Sequence, residues 1–549
     1  MRRSIVLLST LFSAMISVST LFAQPIVGTH SHADTLRGTI GVERAFWDVQ
    51  RYDLSVEPDY AAKTIRGCSM ISIKWTGTGT VMQVDLQEPL TIDSVLSPTR
   101  VNYGFTREGN AWHVTIGNDR PSNIRVYYHG SPRIAVRPPW DGGWIFTQDK
   151  LGRPWMSVAC QGLGASVWYP CKDHQSDEPD LGASLSMTVP DTLVAVAMGR
   201  LAAKTPASQG MTTWRWEVKN PINNYNIIPY IGKYVNWSDS FAGEKGVLDC
   251  NYWVLDYELG KAKIQFTQAH DMLQCFEHWF GPYPFYEDGY KLVQSPHLGM
   301  EHQSAVGYGN KFQNGYLGTD LSGSGWGLKW DFIIVHESGH EWFGNNITTN
   351  DLADMWVHEG FTNYSETIFT TCRFGVDAGN AYIQGTRKRI QNKEAIIADY
   401  GVNNEGSGDM YYKGGNLLHF VRQLVGNDER FRMGLREMNK RWYHMTVNST
   451  EVEAFWSVWS GKDLKPLFDQ YLRHTSIPVL EYRLKGKKVE YHWTNCIDGF
   501  NIPVKVMVNG TPGQWIKPKA TWSTLKSGKA VGNFTVDPNF YVNTRELKD

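Results

Sequence analysis

The chain has 549 residues, 42% hydrophobic and 20% charged, and its 54 Lys and Arg almost cancel its 55 Asp and Glu. That length exceeds what one hydrophobic core holds, so several domains are expected, and the composition excludes an intrinsically disordered protein. With neither a basic stripe nor an acidic tail, nucleic acid and anionic membranes are not indicated as partners.

In chain order, Arg2 and Arg3 precede an apolar stretch from Ile5 to Leu21, and Phe22-Ala23-Gln24 offers a cleavage point after Ala23. Residues 1–23 therefore read as a signal peptide, and the mature protein is expected to be exported, periplasmic or secreted. No later apolar run approaches the roughly 20 residues that span a bilayer, so no integral membrane segment is expected after signal removal.

Residues 24–245 are taken as one domain, strand-like from about residue 45. Tyr52–Val56, Ser69–Trp75, Val81–Asp85 and Ile124–Tyr128 mostly alternate apolar and polar residues between turn formers, which predicts an N-terminal β domain. Residues 246–475 turn mainly helical. Ala262, Phe266, Ala269, Leu273, Phe276 and Phe280 recur at helical steps over 258–280. Further helices are predicted at about 328–343, 359–373, 378–396, 411–425, 429–442 and 451–473. Short strands return over 476–549, beginning with Val479–Leu484 and Lys488–Trp493, as a small C-terminal β-sandwich-like domain. The fold class is thus multidomain α+β. Seven cysteines do not form a disulfide scaffold. Cys160 and Cys171 are the nearest pair, either bridged or buried as thiols.

The chemistry concentrates at His336-Glu-Ser-Gly-His340, an H-E-x-x-H string after the apolar run Phe332–Val335. Residues i and i+4 share a helix face about 6 Å apart along the axis, so two imidazoles can converge on one cation. Glu337, rotated aside, can meet a water rather than the metal. Catalytic zinc takes three protein ligands and keeps one position open. Glu359, 19 positions after His340 and opening another helical stretch, is the candidate third ligand.

These residues resemble the gluzincin aminopeptidases of the M1 family, including its leukotriene hydrolase branch, and the resemblance covers most of the mature chain. Its core is His336–Asn345 with Trp356-Val-His-Glu-Gly-Phe361, similar to the family's H-E-x-x-H-x-W-F-G-N and W-L-N-E-G-F strings. The resemblance implies a thermolysin-like catalytic domain and one zinc ion on His336, His340 and Glu359, with Glu337 as general base. His358 stands where the family usually has Asn and reads as a supporting residue beside the ligand.

Leu298-Gly-Met-Glu-His302 is similar to the family's G-x-M-E-N string, which implies that Glu301, beside Met300, binds the substrate's α-ammonium. Such a carboxylate acts as a ruler that selects the first peptide bond. Leu298 and His302 depart from that string. Tyr411-Tyr-Lys-Gly414 looks like Y-E-K-G and implies Tyr411 as oxyanion donor, with Tyr412 as the competing choice. Cys160–Asp173 resembles a segment of the leukotriene hydrolase branch and implies that Gln161 helps hold the amino terminus. Ser460–Leu472 resembles the end of the family's catalytic domain, and with about 75 residues following it the large helical C-terminal domain of longer members is not expected in this sequence.

The reading is therefore a zinc-dependent aminopeptidase acting on peptide substrates. The rival readings are an epoxide hydrolase, an endopeptidase and an inactive peptide-binding module. The oligomeric state and the preferred first residue are not legible.

Overall fold

The structure is a computed structural model that describes residues 30–208 and 210–548; the expected signal peptide lies outside the described residues. The long strand Trp47–Asp59 organises the N-terminal portion. It pairs antiparallel with Thr64–Trp75 and parallel with Ala183–Pro190 within a ten-stranded sheet. Alternate side chains of that strand, among them Val49, Leu54 and Val56, are buried, as one covered face requires. A four-stranded sheet built on Gly143–Gln148 and Pro154–Ala159 adds Trp144 and Val158 to the same core, where Trp168 and Tyr169 also pack.

The expected division at 245/246 falls in the turn of one hairpin. Tyr234–Gly243 and Gly246–Leu255 pair along their whole length, and the second continues in parallel onto Tyr290–Gln294. Its side chains alternate between two cores: Leu248, Cys250, Tyr252 and Val254 face the helical portion, Trp253 and Leu255 the N-terminal one. The strand's period of two thus makes one sheet a shared wall.

Several predicted helices are shorter or divided. The 258–280 stretch is Leu259–Gln265 followed by Gln268–Phe280, and 451–473 is Ser449–Ser460 followed by Lys465–Arg473. The second break has a local cause, since Gly461 caps one helix with φ 69° and Pro466 opens the next. The H-E-x-x-H helix runs only Phe332–Gly339. Asp331 caps it by accepting hydrogen bonds from the Ile333 and Ile334 amides. The 19-residue helix Trp356–Phe374 is buried on all sides through Thr370, the mark of a helix at the centre of its domain. The C-terminal strands form a four-stranded and a three-stranded sheet, and Leu480, Trp493 and Val504 share one core with the helices. Among the described residues, no helix is long and apolar enough to cross a membrane.

The structure pairs cysteines that the spacing did not suggest. Cys275 and Cys372 form a disulfide with Cα atoms 6.1 Å apart, joining Gln268–Phe280 to Trp356–Phe374. Cys160 and Cys171 are both buried as free thiols.

Candidate metal centre

The helix Phe332–Gly339 ends one residue before His340, which keeps helical φ and ψ (−64° and −19°) as its cap. His336 and His340 therefore still project one turn apart. From Trp356–Phe374, Glu359 reaches between them, its Oε2 lying 3.7 Å from His336 Nε2 and 3.3 Å from His340 Nε2.

The far side of each imidazole is already committed. His336 Nδ1 donates to Glu366 Oε1 at 2.7 Å, and His340 Nδ1 to the Phe343 carbonyl at 3.0 Å. A proton fixed on each Nδ1 leaves both Nε2 lone pairs aimed at the Glu359 carboxylate. Glu359 Oε2 itself is buried and has no hydrogen-bond partner among the described residues. Two imidazole lone pairs and an orphaned carboxylate oxygen, mutually within 4.8 Å, fit a zinc ion.

The three groups are also coupled electrostatically. Burial alone would depress both histidines and raise Glu359. Instead the Glu359 and Glu366 carboxylates hold His336 well above its ordinary range, Glu359 raises His340, and the two imidazoles pull Glu359 well below the usual carboxylate range. Glu337, one position from His336, is pushed up to about 7 by burial, against the pull of His336 and His340.

Glu366 carried no assigned role in the sequence reading. It accepts from Tyr382 at 2.6 Å and Asn363 at 3.0 Å as well as from His336, so its carboxylate is rigidly held. It lies seven residues after Glu359, two helical turns along one face, a spacing that could have found it.

The triad sits in the wall of a cavity of about 430 Å³ that Gln161, Leu298, Met300, Glu301, Glu337 and Tyr411 also line. Met300 belongs to the two-residue strand Gly299–Met300. A Cβ on Gly299 would come within 2.5 Å of Glu337 Oε1, so glycine lets that strand pass the carboxylate. Glu301 follows, only 2% exposed, its Oε1 accepting from Tyr225 at 3.1 Å. Asn345, which closes the H-E-x-x-H string, donates to the Glu301 carbonyl at 2.8 Å and so ties this strand to the histidine segment. Tyr225 belongs to the N-terminal portion and no sequence spacing linked it to Glu301.

Gln161 reaches the site from the N-terminal portion, its Nε2 lying 3.5 Å from Glu359 Oε1. Tyr411 opens on the cavity with its ring stacked 6.1 Å from His336. Burial raises its phenol far above the ordinary value, with Glu359 and Glu405 adding to the effect, so it remains a neutral donor. The neighbouring Tyr412 lines the cavity too, but its ring faces the Arg389 guanidinium at 5.9 Å. Tyr411 is placed by a backbone contact. A Cβ on Gly360 would sit 3.3 Å from Gly414 Cα, and one on Gly414 3.0 Å from Gly360 Cα, so Trp356–Phe374 and Asp409–Val425 cross glycine on glycine.

The two histidines beside the site stay outside the cluster. His302 Nδ1 pairs with the Tyr230 hydroxyl at 2.6 Å, and His358 Nε2 accepts from the Thr349 amide at 2.9 Å.

Comparison with known proteins agrees with this geometry. Residues 265–471 match the Peptidase family M1 domain. The chain is 29% identical over 453 residues to aminopeptidase N of Lactococcus lactis, covering 78% of this chain and 51% of that protein. It is 22% identical over 381 residues to Tricorn protease-interacting factor F2 of Thermoplasma acidophilum, covering 67% and 45%. The chain thus spans about half the length of the curated relatives it matches. The M1 zinc metallopeptidase from Deinococcus radiodurans shares the fold, with a TM-score of 0.65 at 19% identity over 78% of this chain and 95% of that one. The family match itself lies over residues 265–471, and the chain as a whole is similar to these proteins.

Proposed function

We propose that this chain is a zinc aminopeptidase that removes N-terminal residues from peptides. One observation carries the proposal: a buried carboxylate, Glu301, shares a cavity with the His336, His340 and Glu359 cluster but is not one of its three members. Two fixed recognition points, one for an ammonium and one for a carbonyl, select the first peptide bond.

Zinc held by His336, His340 and Glu359 would polarise the scissile carbonyl and acidify the attacking water. The residues supply the rest. Glu301, with Gln161 beside it, holds the substrate ammonium, and Met300 forms the adjoining wall. Glu337 takes the proton from the water as it attacks and returns it to the departing amine. The Tyr411 hydroxyl donates to the oxygen on which negative charge develops. Tyr225 and Asn345 keep Glu301 at a constant distance from the cluster.

Export of the mature chain belongs to the same proposal. It is supported by the charged start and apolar run of residues 1–23 and by the Cys275–Cys372 disulfide, a bond that persists in oxidising compartments. The experiment that tests the activity compares an aminoacyl-arylamide with its N-acetylated form, with and without chelator. Turnover of the free form alone, lost with chelator and restored by zinc, is expected. Equal rates on both forms would instead favour an endopeptidase.

A further inference from the structure

Resting on the aminopeptidase reading, we propose that Glu405 is the specificity-determining residue for the substrate's first side chain and that this side chain is cationic, arginine or lysine. Five glutamates line the cavity, Glu301, Glu337, Glu359, Glu366 and Glu405. Four have assignments: Glu359 in the cluster, Glu366 on His336, Glu337 as base, Glu301 on the ammonium. Glu405 has no such assignment and, like Glu337, makes no side-chain hydrogen bond or ion pair among the described residues.

Its position is fixed rather than adventitious. Asn403 donates to the Gly162 carbonyl at 3.3 Å, and Asn404 Oδ1 accepts from the Gly406 amide at 3.0 Å. Gly406 has φ 80°, and a Cβ there would come 2.0 Å from the Ile396 carbonyl, so the loop has little freedom to move. Glu405 Oε2 consequently lies against Gly162, next to Gln161. That is the amino-terminal end of the bound peptide, where the first side chain must go.

The surroundings suit a long cation. Trp140, with its indole 71% exposed, lines both the cavity and an adjoining groove, and so do Gln161 and Glu405. Asp34 and Asp141 add negative charge to that groove, and no Lys or Arg lines it. An indole face beside an unpaired carboxylate accommodates an aliphatic stem and then a guanidinium or ammonium. Glu405 is exposed to solvent where the cavity and the groove share it, so a substrate cation can reach its carboxylate.

The test measures kcat/KM for arginyl-, citrullyl-, lysyl- and leucyl-arylamides with the full chain and its Glu405→Gln and Glu405→Ala variants. Citrulline matches arginine in shape without its charge. A charge-assisted contact predicts an Arg/Cit ratio of about tenfold or more in the wild type, falling toward one in both variants. Glu405→Asp should restore part of the preference. Because the ratio is internal to each variant, a merely structural loss of activity would not move it. An Arg/Cit ratio that is the same in wild type and Glu405→Gln overturns the inference while leaving the aminopeptidase reading intact. Failure to cleave any of the four arylamides overturns both.

Discussion

The buried histidines of this protein fall into two groups that differ in one respect. His336 and His340 have carboxylates on both sides of the ring or across the cluster, and those carboxylates hold them above their ordinary range. His297 and His302 are equally buried, their rings 5.9 Å apart, but no carboxylate pairs with them. Burial depresses His297 to about 3 and His302 well below its ordinary value. Identical side chains at identical depth therefore do opposite things. Carboxylate placement, not burial, sets the direction in which each imidazole shifts.

The sharpest way to break that comparison is at Glu337, the proposed base. Glu337→Gln should keep its zinc, read by elemental analysis, while kcat falls by about a thousandfold or more. Retained activity would remove Glu337 from the mechanism. Next, Glu366→Gln weakens the acceptor that fixes the His336 proton. Its zinc affinity, measured by competition with a chelator, should drop about 10–100-fold. His302→Phe sits in the other group and should leave zinc stoichiometry unchanged. Its cost is stability, about 1–3 kcal/mol in chemical denaturation, because the Tyr230 hydroxyl then loses a partner.

A further effect depends on pH. His297 has a folded pKa of about 3, below its unfolded value, so the unfolded chain binds the proton first as pH falls. Its contribution is complete above about pH 6.5 and is lost progressively below that, by about 1.4 kcal/mol per pH unit, down to the folded value. Replacing His297 with Asn should flatten the acid limb of the stability curve by about that slope. An unchanged limb would place the acid sensitivity elsewhere, for instance at His419, which is also depressed to about 3.

Much of the site was legible because its spacing is local. His336, Glu337 and His340 sit on one turn, and Glu359 opens the next long helix. Strand positions such as Val81–Asp85 were readable from alternation and occur as written. Contacts between distant segments left no such trace. Tyr225 meets Glu301 across 76 positions, and Cys275 meets Cys372 across 97. Gly461 and Pro466, by contrast, announce the break in the 451–473 helix through backbone chemistry alone, and apolar periodicity hid it by running straight through.

The crossing of Gly360 over Gly414 has a consequence for how such a site can vary. Neither glycine reacts, yet each follows a residue of a recognisable string, Glu359 in one and Lys413 in the other. Because the helices touch backbone to backbone, the clearance between Glu359 and Tyr411 is set by main-chain atoms and is indifferent to the size of neighbouring side chains. Sequence can therefore drift widely around the crossing while the spacing stays constant. An added methyl group at either glycine is a different matter, since it would act as a shim and lift the tyrosine away from the ligand as one piece.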